Sequence, residues 1–140
     1  MPATKLGMYI TTTLGEDRLI EQRYHPLAIP SPALFVEARK ARERITRKAG
    51  PCAVLIVVPF EMPVDPPSTN VDFFRPESQK RSIIALAVVA KSTVVNAATK
   101  FYFRYHAQSF ETKVFTEEAD ARPWLKEQLS RRAAEQVVRT

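Results

Sequence analysis

Apolar and polar residues interleave in two runs near the start of the chain, Met8 to Leu14 and Arg18 to Tyr24. The intervening Gly15-Glu16-Asp17 has the length and chemistry of a turn, so the pattern predicts an N-terminal β-hairpin. In the second run Leu19, Glu21 and Arg23 alternate with Ile20, Gln22 and Tyr24, so neither face of that strand is purely apolar. Ser31 before Pro32 marks a helix start, because the serine side chain can cap free amides and a proline at the first helical position loses no hydrogen bond. Leu34, Ala38, Ala41 and Ile45 then recur at helical spacing, predicting an amphipathic helix over Pro32 to Ala49 that Gly50-Pro51 ends. Cys52 to Val58 is a continuous apolar, β-branched run, the mark of a strand covered on both faces.

Residues Pro59 to Asn70 hold four prolines and no glycine, which predicts an irregular connection. A short helix is expected within Val71 to Arg81, interrupted or restarted at Pro76. Ser82 to Ala90 reads as a second buried strand. Ser92 is placed to cap a helix running to about His106, with Val95, Ala98, Tyr102 and Tyr105 on one face. Phe110 to Phe115 alternates as a strand, with Phe110, Thr112 and Val114 on one side. Thr116 is positioned to cap a last helix whose acidic first turn, Glu117 and Glu118, suits the helix dipole, and which gathers Ala121, Leu125 and Leu129 with Trp124 beside them. Pro123 either kinks this helix or marks the start of its regular part.

Strands alternating with helices imply an α/β fold. The expectation is a mixed, mostly parallel central sheet of about five strands flanked by about four helices, in one domain spanning 1–140 with a core over about 8–130. The chain's 140 residues suffice to bury such a core without staples, and an apolar share of 45% with 26% charged residues is ordinary for a globular protein. Eleven prolines against three glycines leave little material for glycine-built phosphate loops. The single cysteine, Cys52, excludes an internal disulfide and any multi-cysteine metal or redox motif, and suits a reducing compartment. No window approaches the roughly 18 apolar residues of a membrane helix, so a cytoplasmic protein with no membrane span is expected. The formal charge of +6 is spread along the chain. Its densest block, Arg39 to Lys48, is interleaved with glutamates and reads as the solvated face of a helix rather than a nucleic-acid patch.

One stretch has a familiar form. Asn96-Ala-Ala-Thr-Lys-Phe-Tyr-Phe, followed by Thr112-Lys-Val-Phe-Thr-Glu-Glu-Ala-Asp-Ala-Arg-Pro-Trp-Leu, resembles the ending of bacterial STAS-like domains, in which an aromatic-centred helix leads through a short strand to an acidic-capped helix. This group is related to sporulation anti-sigma-factor antagonists and often compared with CRAL-TRIO lipid-binding domains. Met8 to Leu129 resembles it as a whole. The resemblance implies a small non-enzymatic domain that works by binding a protein partner or by forming a homodimer, with an apolar small molecule in a cleft as the alternative. It also implies a phospho-regulatory loop after the central strand. Here that loop reads Asp65-Pro66-Pro67-Ser68-Thr69-Asn70, with hydroxyls at Ser68 and Thr69 but without the family's following glycine.

The residues themselves offer little catalytic chemistry. His25 and His106 have no second ligand at metal spacing, so neither metal nor cofactor is expected. Cys52 opens a buried strand with no adjacent base, and the hydroxyls of Ser31, Ser92 and Thr116 are explained by capping. Glu61 and Asp65 are two carboxylates following the central strand, the end at which open α/β sheets bind ligands, but no signal separates their acid and base roles. The densest aromatic group, Phe101, Tyr102, Phe103 and Tyr105 between Lys100 and Arg104, admits three readings: core packing, an interface or apolar ligand cleft, or base stacking. Phe101 and Phe103 are expected on its outer half. Together with Phe73 and Phe74 of the preceding connection they are the candidate interface or ligand contacts.

Overall fold

A computed structural model of the chain describes residues 6–63 and 65–139. Five strands form one sheet in the order in which they occur: β1 (Ile10–Leu14), β2 (Leu19–Tyr24), β3 (Cys52–Val57), β4 (Ile83–Val89) and β5 (Glu111–Phe115). β1 and β2 pair antiparallel as the expected hairpin, and every later pairing is parallel. The predicted α/β class and mixed, mostly parallel sheet are therefore what the chain adopts. The helices are α1 (Pro32–Ala49), the single turn α2 (Pro66–Thr69), α3 (Arg75–Lys80), α4 (Thr93–Tyr105) and α5 (Glu118–Arg139).

Alternation along the strands sorts the core into two layers. One sheet face, carrying Ile20, Val54, Ile56, Leu86 and Val88, is covered by α1, α4 and the connection bearing Phe73 and Phe74. The other face, carrying Ala53, Leu55, Ala85, Ala87 and Val89, is covered by α5 through Ala121 and Leu125. The residues meeting α5 are mostly alanines on β4, so the helix can approach the sheet closely. β3 and β4 alternate between both clusters, which is why each reads as an unbroken apolar run.

Several boundaries and orientations differ from the sequence expectations. Met8 and Tyr9 lie in a 3-10 turn, and the first strand starts at Ile10. The hairpin closes through Glu16–Arg18, with Asp17 and Arg18 in the left-handed region. A short helical turn, α2, occupies part of the connection expected to be irregular, capped by Asp65, whose carboxylate accepts from the Ser68 amide at 3.2 Å. Pro76 falls in the first turn of α3, where it costs no hydrogen bond. α5 begins at Glu118, so Thr116 lies outside it and Pro123 sits within. The helix tolerates the lost amide because its Ala121 and Leu125 are locked against the sheet.

The largest correction concerns the basic block on α1. Its inner stripe is Leu34, Ala38, Arg42 and Thr46, so Arg42 is not on the solvated face but buried, with 1% of its surface exposed. On α4 the inner face turns slightly from the expected one. Phe103 points inward, while Tyr105 is 70% exposed and stacks on Phe101 at 6.4 Å between centroids.

Candidate functional site

The space between the sheet, α1 and α4 is incompletely filled. Nothing on α4 is fully buried, and the side chains it turns toward the sheet at mid-helix, Ala98 and Thr99, are small. A cavity of about 170 Å³ remains beneath it. It opens at the carboxyl ends of the parallel strands, where Tyr24, Ile56, Val58 and Val88 form its floor, the end at which ligands bind in open α/β sheets. Phe35 of α1 and Val95, Tyr102 and Phe103 of α4 form opposite walls, and Met62, Phe73 and Phe74 close it from the β3–β4 connection. The rings contact one another, with Phe35 and Phe73 at 5.3 Å and Phe74 and Phe103 at 5.5 Å between centroids.

One end of the cavity is built on a buried ion pair. The Arg42 guanidinium donates to Glu77 from Nε at 2.9 Å and from Nη2 at 2.5 Å, and from Nη1 to Gln22 Oε1 at 2.9 Å. Gln22 in turn donates to the Ala38 carbonyl at 2.9 Å and to Thr12 Oγ1 at 3.1 Å. The arginine also lies over the Phe74 ring, 4.5 Å from its centroid. This network explains the polar position on the inner face of β2 and fixes α3, through Glu77, to α1. Next to it, burial pushes the Tyr24 phenol up to about 12, with the nearby Arg42 charge acting in the opposite sense.

Three side chains at the end of α4 fasten the opposite rim. The Tyr102 hydroxyl donates to the Val71 carbonyl at 2.6 Å and accepts from the Phe73 amide at 3.0 Å. His106 Nε2 lies 2.8 Å from the Thr69 carbonyl, and Gln108 Nε2 donates to Asp72 at 2.8 Å. Burial pushes the Tyr102 phenol up to about 12, against the bond from the Phe73 amide. The connection between β3 and β4 is thus held to the end of α4 by hydrogen bonds from three side chains.

Five of the six residues singled out from sequence meet at this cavity: Ser68, Thr69, Phe73, Phe74 and Phe103. Phe101 does not; it is 63% exposed on the outer side of α4. Ser68 is buried, and its hydroxyl donates to the Asp65 carboxylate, so a phosphate there requires α2 to open, whereas Thr69 is exposed. Glu61 is exposed and not part of the lining, so it and Asp65 do not form a paired site. His25 Nδ1 accepts from the Leu27 amide at 3.0 Å. Cys52 is buried, its thiol raised by desolvation against the opposing charge of Arg18, and it donates to the Gly50 carbonyl at 3.3 Å. Among the described residues no three His, Cys, Asp or Glu side chains gather as a metal site, and no helix is long and apolar enough to cross a membrane.

Phe35, Arg42, Met62 and Glu77 were not singled out from sequence. A signal for Arg42 existed, since it continues the four-residue spacing of Leu34 and Ala38. For Glu77, separated from Arg42 by 35 positions, none did.

Residues 64–129, just under half of the chain, match a family model described as a domain of unknown function (DUF7793). The match takes in the rim at Asp65 to Phe74 and the whole of α4, and leaves out β1 to β3 and α1. No curated protein and no solved structure matches the chain.

Proposed function

We propose that the protein is a non-catalytic binding domain that holds a small apolar molecule in the cavity between α4 and the sheet. The observation that carries this reading is the cavity itself: about 170 Å³, walled by aromatic and aliphatic side chains, at the carboxyl ends of the parallel strands. An engineered apolar cavity of roughly 150 Å³ suffices to bind benzene, so a single ring or a short alkyl chain is the matching size. The polar groups around it support binding over chemistry. The hydroxyls of Thr99 and Tyr102 donate to backbone carbonyls, that of Ser68 donates to the Asp65 carboxylate that also caps α2, and among the described residues no histidine, lysine or cysteine lines the cavity. Kinship with STAS-like domains is part of the proposal, supported by the element order and the ending at Asn96 to Leu125. So is a reducing, cytoplasmic setting, supported by the lone buried thiol of Cys52.

The test is a titration of the isotope-labelled protein with hexan-1-ol, followed by methyl resonances. Saturable shifts are expected at Ile56, Met62, Val88 and Val95, and Ala98→Leu, which fills the space from α4, is expected to abolish them. Shifts absent at these methyls, or unchanged in Ala98→Leu, contradict the proposal.

A second reading, partner binding or homodimerisation, is favoured by one observation. Val94, Phe101 and Tyr105 are 70%, 63% and 70% exposed on the outside of α4, and their spacing sets them in one stripe along the helix. Sedimentation of the wild type and Phe101→Glu checks it: a concentration-dependent dimer lost in the variant supports the reading, and a monomer at all concentrations removes the homodimer.

A further inference from the structure

Resting on the reading of the cavity as a ligand site, we infer that the ligand is a small apolar amine, its hydrocarbon part among the aromatic rings and its ammonium group at Asp65. Two charged side chains line the cavity, Arg42 and Asp65. Their situations differ. Arg42 is closed on the Glu77 carboxylate by bonds from Nε and Nη2, so a ligand approaching it meets a pair with no net charge. Asp65 has no such neutralising partner among the described residues. Its Oδ2 accepts from the amide and hydroxyl of Ser68, which leaves Oδ1 for a donor arriving from the cavity.

The remaining chemistry of the lining points the same way. Three hydroxyl hydrogens of the lining are committed elsewhere, Ser68 to Asp65, Thr99 to the Val95 carbonyl and Tyr102 to the Val71 carbonyl, while the Tyr24 phenol, beside the neutralised Arg42 pair, can donate or accept. Ring faces make up much of the wall, with Tyr24, Phe35, Phe73 and Phe103 all in it. Ring faces attract cations as well as alkyl groups. The protein as a whole carries a net charge of +6, which from a distance draws anions instead. Preference for an amine has therefore to come from the lining itself, Asp65 foremost and the ring faces beside it, and not from the net charge.

Three ligands sharing one hydrocarbon chain separate these effects: hexylamine, hexan-1-ol and hexanoate, titrated calorimetrically into the full chain at neutral pH. Hexylamine is expected to bind at least about tenfold more tightly than hexanoate, as a charge-assisted contact in a partly desolvated site implies, with hexan-1-ol between them. In Asp65→Asn, whose amide oxygen can still cap Ser68, the ratio of hexylamine to hexanoate affinity is expected to collapse. Hexan-1-ol binding while hexanoate equals or exceeds hexylamine overturns the inference and leaves the cavity reading standing. A tenfold ratio that survives Asp65→Asn also overturns it. Failure of all three to bind removes the inference together with the cavity reading. Should Asp65→Asn not fold, the ranking in the wild type decides alone.

Discussion

Arg42 shows how much one side chain can contribute at the residue scale. Its charge is buried at one end of the site and satisfied by Glu77 and Gln22, and removal of one member leaves the other charge stranded in a desolvated position. Arg42→Met is expected to cost about 3–5 kcal/mol in chemical denaturation, whereas Arg42→Met combined with Glu77→Met recovers most of the loss. A single variant as stable as the wild type would show that the pair is not held as described. Gly50 is the second residue with an unambiguous requirement. Its φ of 84° with ψ of −169° is a backbone state that side chains avoid, and an added Cβ would meet Arg18 Nη2 at 3.1 Å, the group that caps α1 through the Ala49 carbonyl. Gly50→Ala is expected to lower stability by about 1–3 kcal/mol, read as a lowered Tm. That Gly50 ends α1 was legible from its place after an apolar-periodic run. The burial of Arg42 was signalled only by its four-residue spacing after Leu34 and Ala38, because arginines on an amphipathic helix ordinarily belong outside and its partner comes from an element 35 residues away.

At the scale of elements, α4 and α5 are attached in different ways. α5 is set by apolar contact, Ala121 and Leu125 against the alanine-lined face of the sheet, and its start is tied to β2 by charge. Arg23 meets both oxygens of Glu118 at 2.9 Å, and Arg122 meets Glu21 at 2.8 Å. The bond from Arg23, aided by Arg122, holds the Glu118 carboxyl down at about 2 against an ordinary value of 4.5. A depressed carboxyl contributes stability above its unfolded value, and the contribution is lost as pH falls from about 4.5 toward 2. Glu118→Gln is accordingly expected to unfold at a lower temperature at neutral pH but to show a flatter decline below pH 4.5. Parallel acid limbs for the two proteins would contradict this. α4 depends instead on the bonds at its end. Tyr102→Phe removes two of them and is expected to cost about 1–2 kcal/mol, with faster amide exchange at Phe73 as the local signature. The apolar runs of β3 and β4 and the caps at Ser31 and Ser92 made these elements readable in advance. The phase of α4 was not, because Phe101, Tyr102, Phe103 and Tyr105 fit two neighbouring stripes equally and the contact between Phe103 and Phe74 decides between them.

For the whole molecule, the architecture places a layer of α5 on one face of the sheet and a looser layer on the other, with the cavity in the looser one. Two phenols face that layer, Tyr24 and Tyr102, both raised from 10.0 to about 12 by burial. A raised value means their contribution is complete below pH 10 and is lost as pH climbs toward 12. Alkaline unfolding followed by tyrosinate absorbance is expected to begin in that window, with the two phenols ionising together with the loss of structure. On the proposed reading, a ligand in the cavity would stabilise the same layer. Ligand at one hundred times its Kd adds about 2.7 kcal/mol to a folded state that alone binds it. The α/β class, the N-terminal hairpin and the mixed, mostly parallel sheet were open to sequence reasoning through periodicity. The cavity was not, since empty space is produced by which side chains fail to meet, here Ala98 and Thr99 opposite Val88 and Phe35, and no single segment records it.

The most direct measurement is a crystal structure of the protein soaked with hexylamine. One molecule is expected beneath α4, its chain against Phe35, Phe73 and Phe103 and its nitrogen within hydrogen-bonding distance of Asp65. A cavity closed by its own side chains, or hexylamine found only on the outer face of α4 beside Phe101 and Tyr105, would contradict it.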